Sequence, residues 1–206
     1  ELIDDANGVF AIIQGNRLVT TRSLDYEEQA THNITVRAWD GDLLYVDKVF
    51  TIIVRDMAEP PYEILLSDNI LPENSPQGTF IGKLTALDQD SGNTGFTYQI
   101  ISNSPYFQIV GDELQAGTLP ANYEASQQLS VRITAFDNTG RQLARPQPNG
   151  TTVHYKDFVI LVQDVNEPPT NIALTNSSLP ERSEAGTVVG NLVVGDPDIC
   201  DTHEFF

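Results

Sequence analysis

The chain has 206 residues, enough for one large domain or for two domains of about 100 residues with separate cores. Its 40% content of hydrophobic residues is ordinary for a globular protein and argues against disorder. Asp and Glu total 29 against 11 Lys and Arg, and the formal net charge of −18 disfavours nucleic acid and anionic membranes as partners.

Cysteine usage and hydropathy narrow the class of protein further. Cys200 is the single cysteine, so the chain can form neither an internal disulfide framework nor a cysteine-based zinc site. No apolar run approaches the roughly 18 residues of a membrane-spanning helix, and no signal-peptide pattern follows Glu1. We therefore expect an interior segment of a longer secreted or surface protein, in which a metal ion would supply rigidity in place of disulfides.

Short segments of alternating apolar and polar residues, typical of β-strands with one buried face, follow one another along the chain. In chain order the predicted strands are Val9–Ile13, Arg17–Thr21, His32–Ala38, Lys48–Val54, Thr79–Ala86, Phe96–Ile101, Leu129–Ala135, Val153–Val162 and Thr187–Val194. In Leu129–Ala135 every second residue is apolar, whereas Ser130, Arg132 and Thr134 form the opposite, polar face. No segment has a convincing helical period, so the pattern predicts an all-β sandwich or barrel.

The sequence also repeats itself. Three motifs return at an offset of 108 residues: Pro72-Glu73-Asn74 as Pro180-Glu181-Arg182, Asp88-Gln89-Asp90 as Asp196-Pro197-Asp198, and Asp56-Met57-Ala58-Glu59 as Asp164-Val165-Asn166-Glu167. Two more return at an offset of 97 residues: Asp25-Tyr26-Glu27 as Asn122-Tyr123-Glu124, and Ala38-Trp39-Asp40 as Ala135-Phe136-Asp137. An inserted loop at Arg141–Gly150 accounts for the difference, so the period is one domain.

Taken in order, the motifs Pro-Glu-Asn, Asp-x-Asp, Asp-Tyr-Glu, Ala-x-Asp and Asp-x-Asn-Glu-Pro-Pro resemble the cadherin repeat family over essentially the whole chain. The Glu-Pro-Pro ending and the Asp-Pro-Asp wording are closer to bacterial and other divergent cadherin-like modules than to vertebrate adhesion cadherins. The resemblance implies tandem Greek-key β-sandwiches of seven strands, immunoglobulin-like and of the cadherin type.

The resemblance also implies how the chain divides. Residues 1–59 correspond to the C-terminal half of a domain, residues 60–167 to a complete domain, and residues 168–206 to the N-terminal half of a further domain. Two interpretations stay open: these residues are a window on a longer protein, or separate copies complete each other head to tail. In the second case Ile172, Leu174, Val188 and Leu192 of one copy would meet Phe10, Ile12, Ile34 and Val36 of another.

Calcium sites are implied where one domain meets the next, because Ca²⁺ takes about six to eight oxygen ligands and no single short motif here supplies so many. The implied ligands of the first junction are Asp25, Glu27, Asp56, Glu59, Asp88, Asp90, Asn93 and Asp137. Those of the second are Glu73, Glu124, Asp164, Asn166, Glu167, Asp196 and Asp198, with Glu181 added as the repeat counterpart of Glu73. About two or three ions per junction are expected, with weaker binding where Ala58 and Asn122 depart from the family pattern.

The function implied by the resemblance is a calcium-dependent extracellular array for adhesion or spacing, on a cell surface or secreted, and not an enzyme. Its partners would be other cadherin-like domains, in the same array or in another copy. His32, His154 and His203 are scattered and no nucleophile motif occurs, which also argues against catalysis. Three sequons, at Asn33, Asn149 and Asn176, are common by chance.

The alternative function is a carbohydrate-binding module of a secreted or surface polysaccharide-processing protein, with extracellular glycans as its ligands. Trp39 and Phe136 occupy equivalent positions on the face opposite the predicted core, where they could stack on sugar rings. Packing of these aromatic side chains against a neighbouring loop or linker is the other interpretation.

Overall fold

The structure, a computed structural model, describes residues 1–40, 43–90, 95–198 and 201–206. These residues include no helix, and accordingly none that is long and apolar enough to cross a membrane. The strands are β1 Leu2–Asp4, β2 Phe10–Ile13, β3 Arg17–Thr20, β4 Thr31–Trp39, β5 Tyr45–Ile53, β6 Glu63–Leu66, β7 Ile70–Pro72, β8 Phe80–Leu87, β9 Thr97–Ile100, β10 Phe107–Val110, β11 Glu113–Ala116, β12 Gln128–Phe136, β13 Arg145–Pro146, β14 Thr152–Val153, β15 Lys156–Gln163, β16 Asn171–Leu174 and β17 Leu192–Gly195.

Strand pairing falls into three groups. Strands β1 to β5 pair only with one another, as do β6 to β15, and β16 pairs with β17. We call residues 1–59 the first region, residues 60–167 the central region and residues 168–206 the third region.

The central region is a sandwich of two four-stranded sheets, in the orders β10-β11-β8-β6 and β7-β15-β12-β9. The consecutive segments β6 and β7 lie in opposite sheets, so together they form one N-terminal strand that crosses from one sheet to the other. Strand β7 runs parallel to β15, whereas the other pairs are antiparallel. With β6 and β7 counted as one, the predicted seven-stranded Greek-key sandwich is confirmed.

The core of the central region lies between these two sheets, and alternation along the strands supplies it. On β12, Val131, Ile133 and Ala135 are buried and face the other sheet, as the sequence predicts. From that other sheet, Leu84 of β8 and Leu114 of β11 join the same apolar cluster. Burying a side chain of this size stabilises the fold by about 1.5–3 kcal/mol relative to leaving it in water.

Thr134 corrects the prediction that it belongs to a polar outer face, because it is fully buried at 0% exposure. The inserted loop covers it: Phe136 forms a β-bridge with Gln142, and the Gln142 Nε2 group donates a hydrogen bond of 3.2 Å to the Thr134 hydroxyl. A loop that the first region lacks thus buries a position that alternation alone places in water.

The first region contains the three-stranded sheet β1-β4-β5 and the hairpin of β2 and β3. Its small core consists of Val9, Phe10 and Ile34, with buried His32 set edge-on to the Phe10 ring at a centroid distance of 5.6 Å. Phe10 and Ile34, two of the residues expected to meet another copy, are therefore already buried within the region.

In the third region, β16 and β17 form an antiparallel pair. The predicted strand Thr187–Val194 is shorter than expected, because strand structure begins only at Leu192. Two apolar side chains expected to face another half-domain, Ile172 and Leu192, are 62% and 49% exposed.

Candidate metal centre

Four carboxylates converge where the first region meets the central region. Glu27 lies in the turn before β4, Asp56 and Glu59 lie in the segment that links β5 to β6, and Asp90 follows β8. One carboxylate oxygen from each residue lies within 4.8 Å of those of the other three. We call this set the first acid cluster; it contains four of the predicted first-junction ligands.

Backbone hydrogen bonds hold the members of the first acid cluster in place. The Glu59 N–H donates to Asp90 Oδ2 at 3.0 Å, and the Asp90 N–H donates to Asp88 Oδ1 at 3.0 Å. Asp25 Oδ1 accepts from the Glu27 N–H at 2.9 Å. Asp25 and Asp88 thus shape the turns that carry Glu27 and Asp90, and neither belongs to the cluster as the described residues define it.

Where the central region meets the third, carboxylates form a longer, continuous group, which we call the second acid cluster. It consists of three overlapping sets: Glu73, Glu124 and Asp164; Glu124, Glu167 and Asp198; and Asp196, Asp198 and Asp201. Within each set the carboxylate oxygens lie within 4.8 Å of one another. Glu124 and Asp198 each belong to two sets, so the three sets are linked by shared residues.

Glu73 ties together the segments that carry the second acid cluster. Its side chain is 2% exposed and accepts the Tyr123 N–H at 2.9 Å on one oxygen and the Val165 N–H at 2.9 Å on the other. These donors precede Glu124 and follow Asp164, so one buried carboxylate positions two others.

Two backbone hydrogen bonds of the first acid cluster recur in the second. The Glu167 N–H donates to Asp198 Oδ2 at 2.7 Å, which reproduces the Glu59 contact with Asp90 one period earlier in the chain. The Asp198 N–H likewise donates to Asp196 Oδ1 at 3.1 Å. Equivalent residues therefore adopt equivalent local geometry at both places.

Four carboxylate oxygens at these two places are buried without a hydrogen-bond partner among the described residues. They are Glu59 Oε2, Asp90 Oδ1, Asp137 Oδ2 and Glu167 Oε2. A buried carboxylate oxygen without a donor is costly, and such groups are ordinarily paired or bound to a metal ion. Hard oxygen donors gathered in this way fit Ca²⁺ better than the softer transition metals.

The pKa values of the clustered carboxylates also indicate a site suited to a cation. Burial raises the pKa of Glu59, and the adjacent Asp90 carboxylate raises it further. Burial, with repulsion from Asp198 and Glu73, raises the pKa of Asp164. Burial also raises the pKa of Glu167, although a hydrogen bond from Asn74 partly offsets the rise. These carboxylates repel one another, and a cation would reverse the sign of that interaction.

The pKa of Asp137 is lowered, unlike those of Glu59, Asp164 and Glu167. Burial alone would raise its pKa, but hydrogen bonds from the Arg141 and Thr139 N–H groups and from the Thr139 hydroxyl lower it. All of these donors reach Oδ1, which leaves Oδ2 as the buried, unpartnered oxygen. Asp137 is therefore held ionised beside the first junction, although it lies outside the first acid cluster of described residues.

The remaining predicted ligands have different positions. Asn93 lies outside the described residues. Asn166 is exposed, and its Nδ2 donates to the Glu167 carbonyl at 3.4 Å. Glu181 is exposed and joins none of the acidic groups found in the described part of the chain.

Two residues near the second junction escaped the sequence analysis. Asp201 belongs to the second acid cluster, and it stands 108 residues after Asn93, so the same repeat offset could have identified it. Asn74 donates from Nδ2 to Glu167 Oε1 and shares its motif with Glu73. His203 Nε2 lies 2.7 Å from Asp196 Oδ2, and this hydrogen bond lowers the pKa of Asp196.

Sequence relatives of this chain are protocadherins. Mouse protocadherin Fat 2 is 31% identical over 196 residues, which cover 90% of this chain and 4% of that protein. Human protocadherin beta-1 is 31% identical over 197 residues, covering 88% of this chain and 22% of that protein. The chain belongs to the cadherin repeat family. No family model matches it.

Solved structures share the cadherin fold. Extracellular cadherin domains 1–4 of protocadherin gamma B7 superpose with a TM-score of 0.62 at 24% identity, covering 87% of this chain and 44% of that one. Domains 3–6 of the same protein, described as a cis-dimer, give a TM-score of 0.59 at 22% identity and cover 97% of this chain and 48% of that one. The sequence relatives are vertebrate protocadherins, so the predicted closeness to bacterial modules finds no support among them.

Proposed function

We propose that this chain is a stretch of a calcium-dependent extracellular array, in which ions bound between consecutive cadherin repeats hold the repeats in a fixed relation for adhesion or spacing. The observation that carries the proposal is the set of four buried carboxylate oxygens that have no hydrogen-bond partner within the described parts of the chain, on Glu59, Asp90, Asp137 and Glu167. The domain boundaries at residues 59/60 and 167/168 belong to this proposal.

At the first junction the ligands would come from both sides. Glu27 belongs to the first region, Asp90 to the central region, and Asp56 and Glu59 to the segment between them. Two carboxylates 4 Å apart repel by about 4 kcal/mol at an effective dielectric constant near 20. A divalent cation turns that repulsion into attraction, so its binding would be coupled to the ordering of the junction.

The second junction offers more carboxylates, and its overlapping sets would accommodate more than one ion. Glu124 would contribute to two neighbouring ions, and Glu73 would act both as a ligand and as the residue that positions Glu124 and Asp164. The other predicted ligands stay predictions: Asp25, Asp88, Asn93, Asn166 and Glu181.

The relatives support a proposal for the partners and the location of this chain. The chain spans between 4% and 22% of the length of the protocadherins it matches, so the activity of the whole protein is proposed rather than known. Gamma B7 is represented by extracellular cadherin domains, including a cis-dimer. We propose the same location for this chain, with cadherin domains of the same or another copy as its partners and with binding, not catalysis, as its activity.

The carbohydrate-binding alternative has less support. Trp39 is 48% exposed but packs on Tyr45, with ring centroids 5.1 Å apart, and the Arg37 guanidinium lies 3.8 Å from the centre of the Tyr45 ring. Phe136 is half-buried and pairs with Gln142 of the insertion. The Trp39 ring therefore has packing partners within its own region, and the Phe136 side chain is only partly accessible.

Calorimetric titration of the whole chain with CaCl₂ tests the proposal. We expect dissociation constants of about 10⁻⁴–10⁻³ M, as is typical of extracellular modules. Asp90→Asn and Glu59→Gln should each weaken binding at the first junction at least about tenfold, because each removes a charged oxygen ligand. The matched control is Asp68→Asn, an exposed acid of the central region outside both clusters.

Small-angle scattering with and without a chelator is the companion measurement. Calcium should narrow the distribution of interatomic distances, since it would fix the orientation of each region relative to the next. The proposal would be refuted if calorimetry detected no heat of calcium binding and the scattering curves with and without chelator were identical. Equal losses of calcium affinity for Asp90→Asn and Asp68→Asn would show that bulk charge, rather than a site, governs the response.

A further inference from the structure

The three sequons of the chain have different structural settings, and one of them lies on the insertion that the first region lacks. Asn149-Gly150-Thr151 forms the tip of the inserted hairpin between β13 and β14. All three of its residues are exposed. Neither acid cluster includes any of them.

The turn at this tip is closed by its own backbone. The Gln147 N–H donates to the Thr151 carbonyl at 2.8 Å, and the Gly150 N–H donates to the Gln147 carbonyl at 2.9 Å. Gly150 has a φ of +80°, a conformation that glycine adopts without steric cost. The sequon is therefore presented on a defined, tight turn rather than within a strand.

The side chains of the sequon contact each other. The Thr151 hydroxyl donates to Asn149 Oδ1 at 2.7 Å, and the Thr151 N–H donates to the same oxygen at 3.1 Å. Among the described residues, the Asn149 amide nitrogen donates no hydrogen bond. The amide oxygen is thus engaged by the hydroxyl that an Asn-x-Thr sequon requires, while the nitrogen that would be modified faces solvent.

The other two sequons are less favourable. Asn176 Nδ2 donates to the Ser178 and Val189 carbonyls, each at 2.9 Å, so its nitrogen holds two backbone segments together. Asn33 lies inside β4 opposite Thr51 of β5, and its Oδ1 accepts the Thr51 hydroxyl at 2.7 Å rather than a hydroxyl of its own sequon.

We propose that Asn149 is a site of N-linked glycosylation, with a lipid-linked oligosaccharide pyrophosphate as the donor. In the transfer, Asn149 Nδ2 forms a bond to the anomeric carbon of the sugar while the bond from that carbon to the pyrophosphate oxygen breaks. The nitrogen loses one proton, and the lipid pyrophosphate leaves with the electron pair. The proposal rests on the extracellular location argued above, because the donor is met on the secretory route.

The base of the inserted hairpin is anchored to the beginning of the central region. The Ala144 N–H donates to the Pro61 carbonyl at 2.8 Å, and Arg145 donates to Glu63 Oε2 at 3.2 Å. The attachment point is at the opposite end of this hairpin, on a segment that no cluster residue contacts through a hydrogen bond in the described structure. Glycosylation at Asn149 should therefore leave calcium affinity unchanged within about twofold.

Secretion of the whole chain from animal cells, directed by an added signal peptide, tests the site. Peptide mass mapping should find the peptide that contains Asn149 glycosylated in most molecules, at higher occupancy than the peptides of Asn33 and Asn176. Asn149→Gln and Thr151→Ala should each remove one glycan from the intact mass, whereas Thr151→Ser, which keeps the hydroxyl, should retain it. Peptide N-glycosidase should release this glycan from the folded protein without denaturant.

An unmodified Asn149 peptide in the secreted wild-type chain would overturn the proposal, and so would an unchanged intact mass for both Asn149→Gln and Thr151→Ala. Calcium titration of the same material separates the two proposals. A glycosylated chain that binds no calcium refutes the function proposed above, and an unglycosylated chain that binds calcium refutes this site.

Discussion

Leu114 in β11 and Leu18 in β3 occupy corresponding places in two β-hairpins, one in the central region and one in the first. Leu114 is fully buried at 0% exposure, whereas Leu18 is 40% exposed. The hairpin of the central region continues into β8 and β6 and forms a complete sheet over β12 and β15, but the hairpin of the first region has no such extension among the described strands. Alternation therefore decides which face of a strand is apolar, and the opposing sheet decides whether that face is buried.

The largest effect expected from this comparison is on stability. Leu114→Ala should lower the free energy of unfolding of the central region by about 2–5 kcal/mol, because it removes a fully buried side chain and leaves a cavity. Leu18→Ala should cost less than about 1 kcal/mol, since much of the side chain is already in water. Urea denaturation measures both, with circular dichroism for the whole chain and fluorescence of Trp39, the single tryptophan, for the first region. Equal losses would contradict the comparison.

Glu73 and Glu124 allow an acid that also stabilises the fold to be told from an acid that acts only as a ligand. Glu73→Gln should destabilise the central region by about 1–3 kcal/mol with or without calcium, because the buried carboxylate accepts two N–H groups and the amide replaces one acceptor with a donor. Glu124 is exposed, so Glu124→Gln should lower stability only when calcium is present. Thermal denaturation of both variants, in CaCl₂ and in chelator, gives the four values needed. If Glu73→Gln lowered stability only in the presence of calcium, this assignment would be wrong.

The acid clusters should also set the pH dependence of stability. The pKa values of Glu59, Glu167 and Asp164 are raised in the folded chain, first by burial. Without calcium, their charged forms destabilise the fold at neutral pH, and this destabilisation is relieved as the pH falls towards their ordinary values of 4.5 and 3.8.

The measurement is a series of melting temperatures between pH 7 and pH 5. In chelator the melting temperature should rise as the pH falls through this range. In calcium the trend should reverse, since protons compete with the ion for the same carboxylates. The lowered pKa of Asp137 acts in the opposite sense, and its contribution is lost only below its ordinary value of 3.8. A melting temperature in chelator that falls steadily from pH 7 to pH 5 would contradict the assigned direction.

The smallest expected effect concerns one position in the two regions. Thr134 and Arg37 occupy equivalent places, but Thr134 is buried under the insertion, and Arg37 forms an exposed bidentate ion pair with Asp47. Thr134→Val should cost about 0.5–1.5 kcal/mol, because Gln142 loses its acceptor. Arg37→Ala should cost about 0–1 kcal/mol, the usual range for a surface ion pair. The same denaturation experiments measure both, and a larger loss for Arg37→Ala would contradict the ranking.

Much of the central architecture could be predicted from sequence, because long alternating segments and a fixed repeat carry strong information. The segment His32–Ala38 lies within β4, and the repeat offset correctly pairs the Glu59–Asp90 contact with the Glu167–Asp198 contact. Several short strands, such as β6, β7, β10 and β11, escaped prediction, since alternation is hard to recognise over so few positions.

Burial was harder to predict than strand position. The sequence motif of Glu73 indicates a ligand, but not that both of its oxygens accept backbone N–H groups inside the domain. Thr134 is polar and alternates correctly with its neighbours, yet a loop seven residues further on covers it. Both cases depend on contacts between segments distant in the chain or in an insertion, which local pattern does not encode.

Glu124 belongs to two sets of the second acid cluster, and Asp198 does as well, whereas the first acid cluster is a single set. If Glu124 and Asp198 held an ion in one set, they would already be ordered for the neighbouring set, and a second ion would bind more readily. The second junction should therefore respond to calcium more steeply than a simple saturation curve, with a Hill coefficient above one. Two junctions built from the same repeat would then differ in kind, one filling gradually and the other close to a threshold concentration.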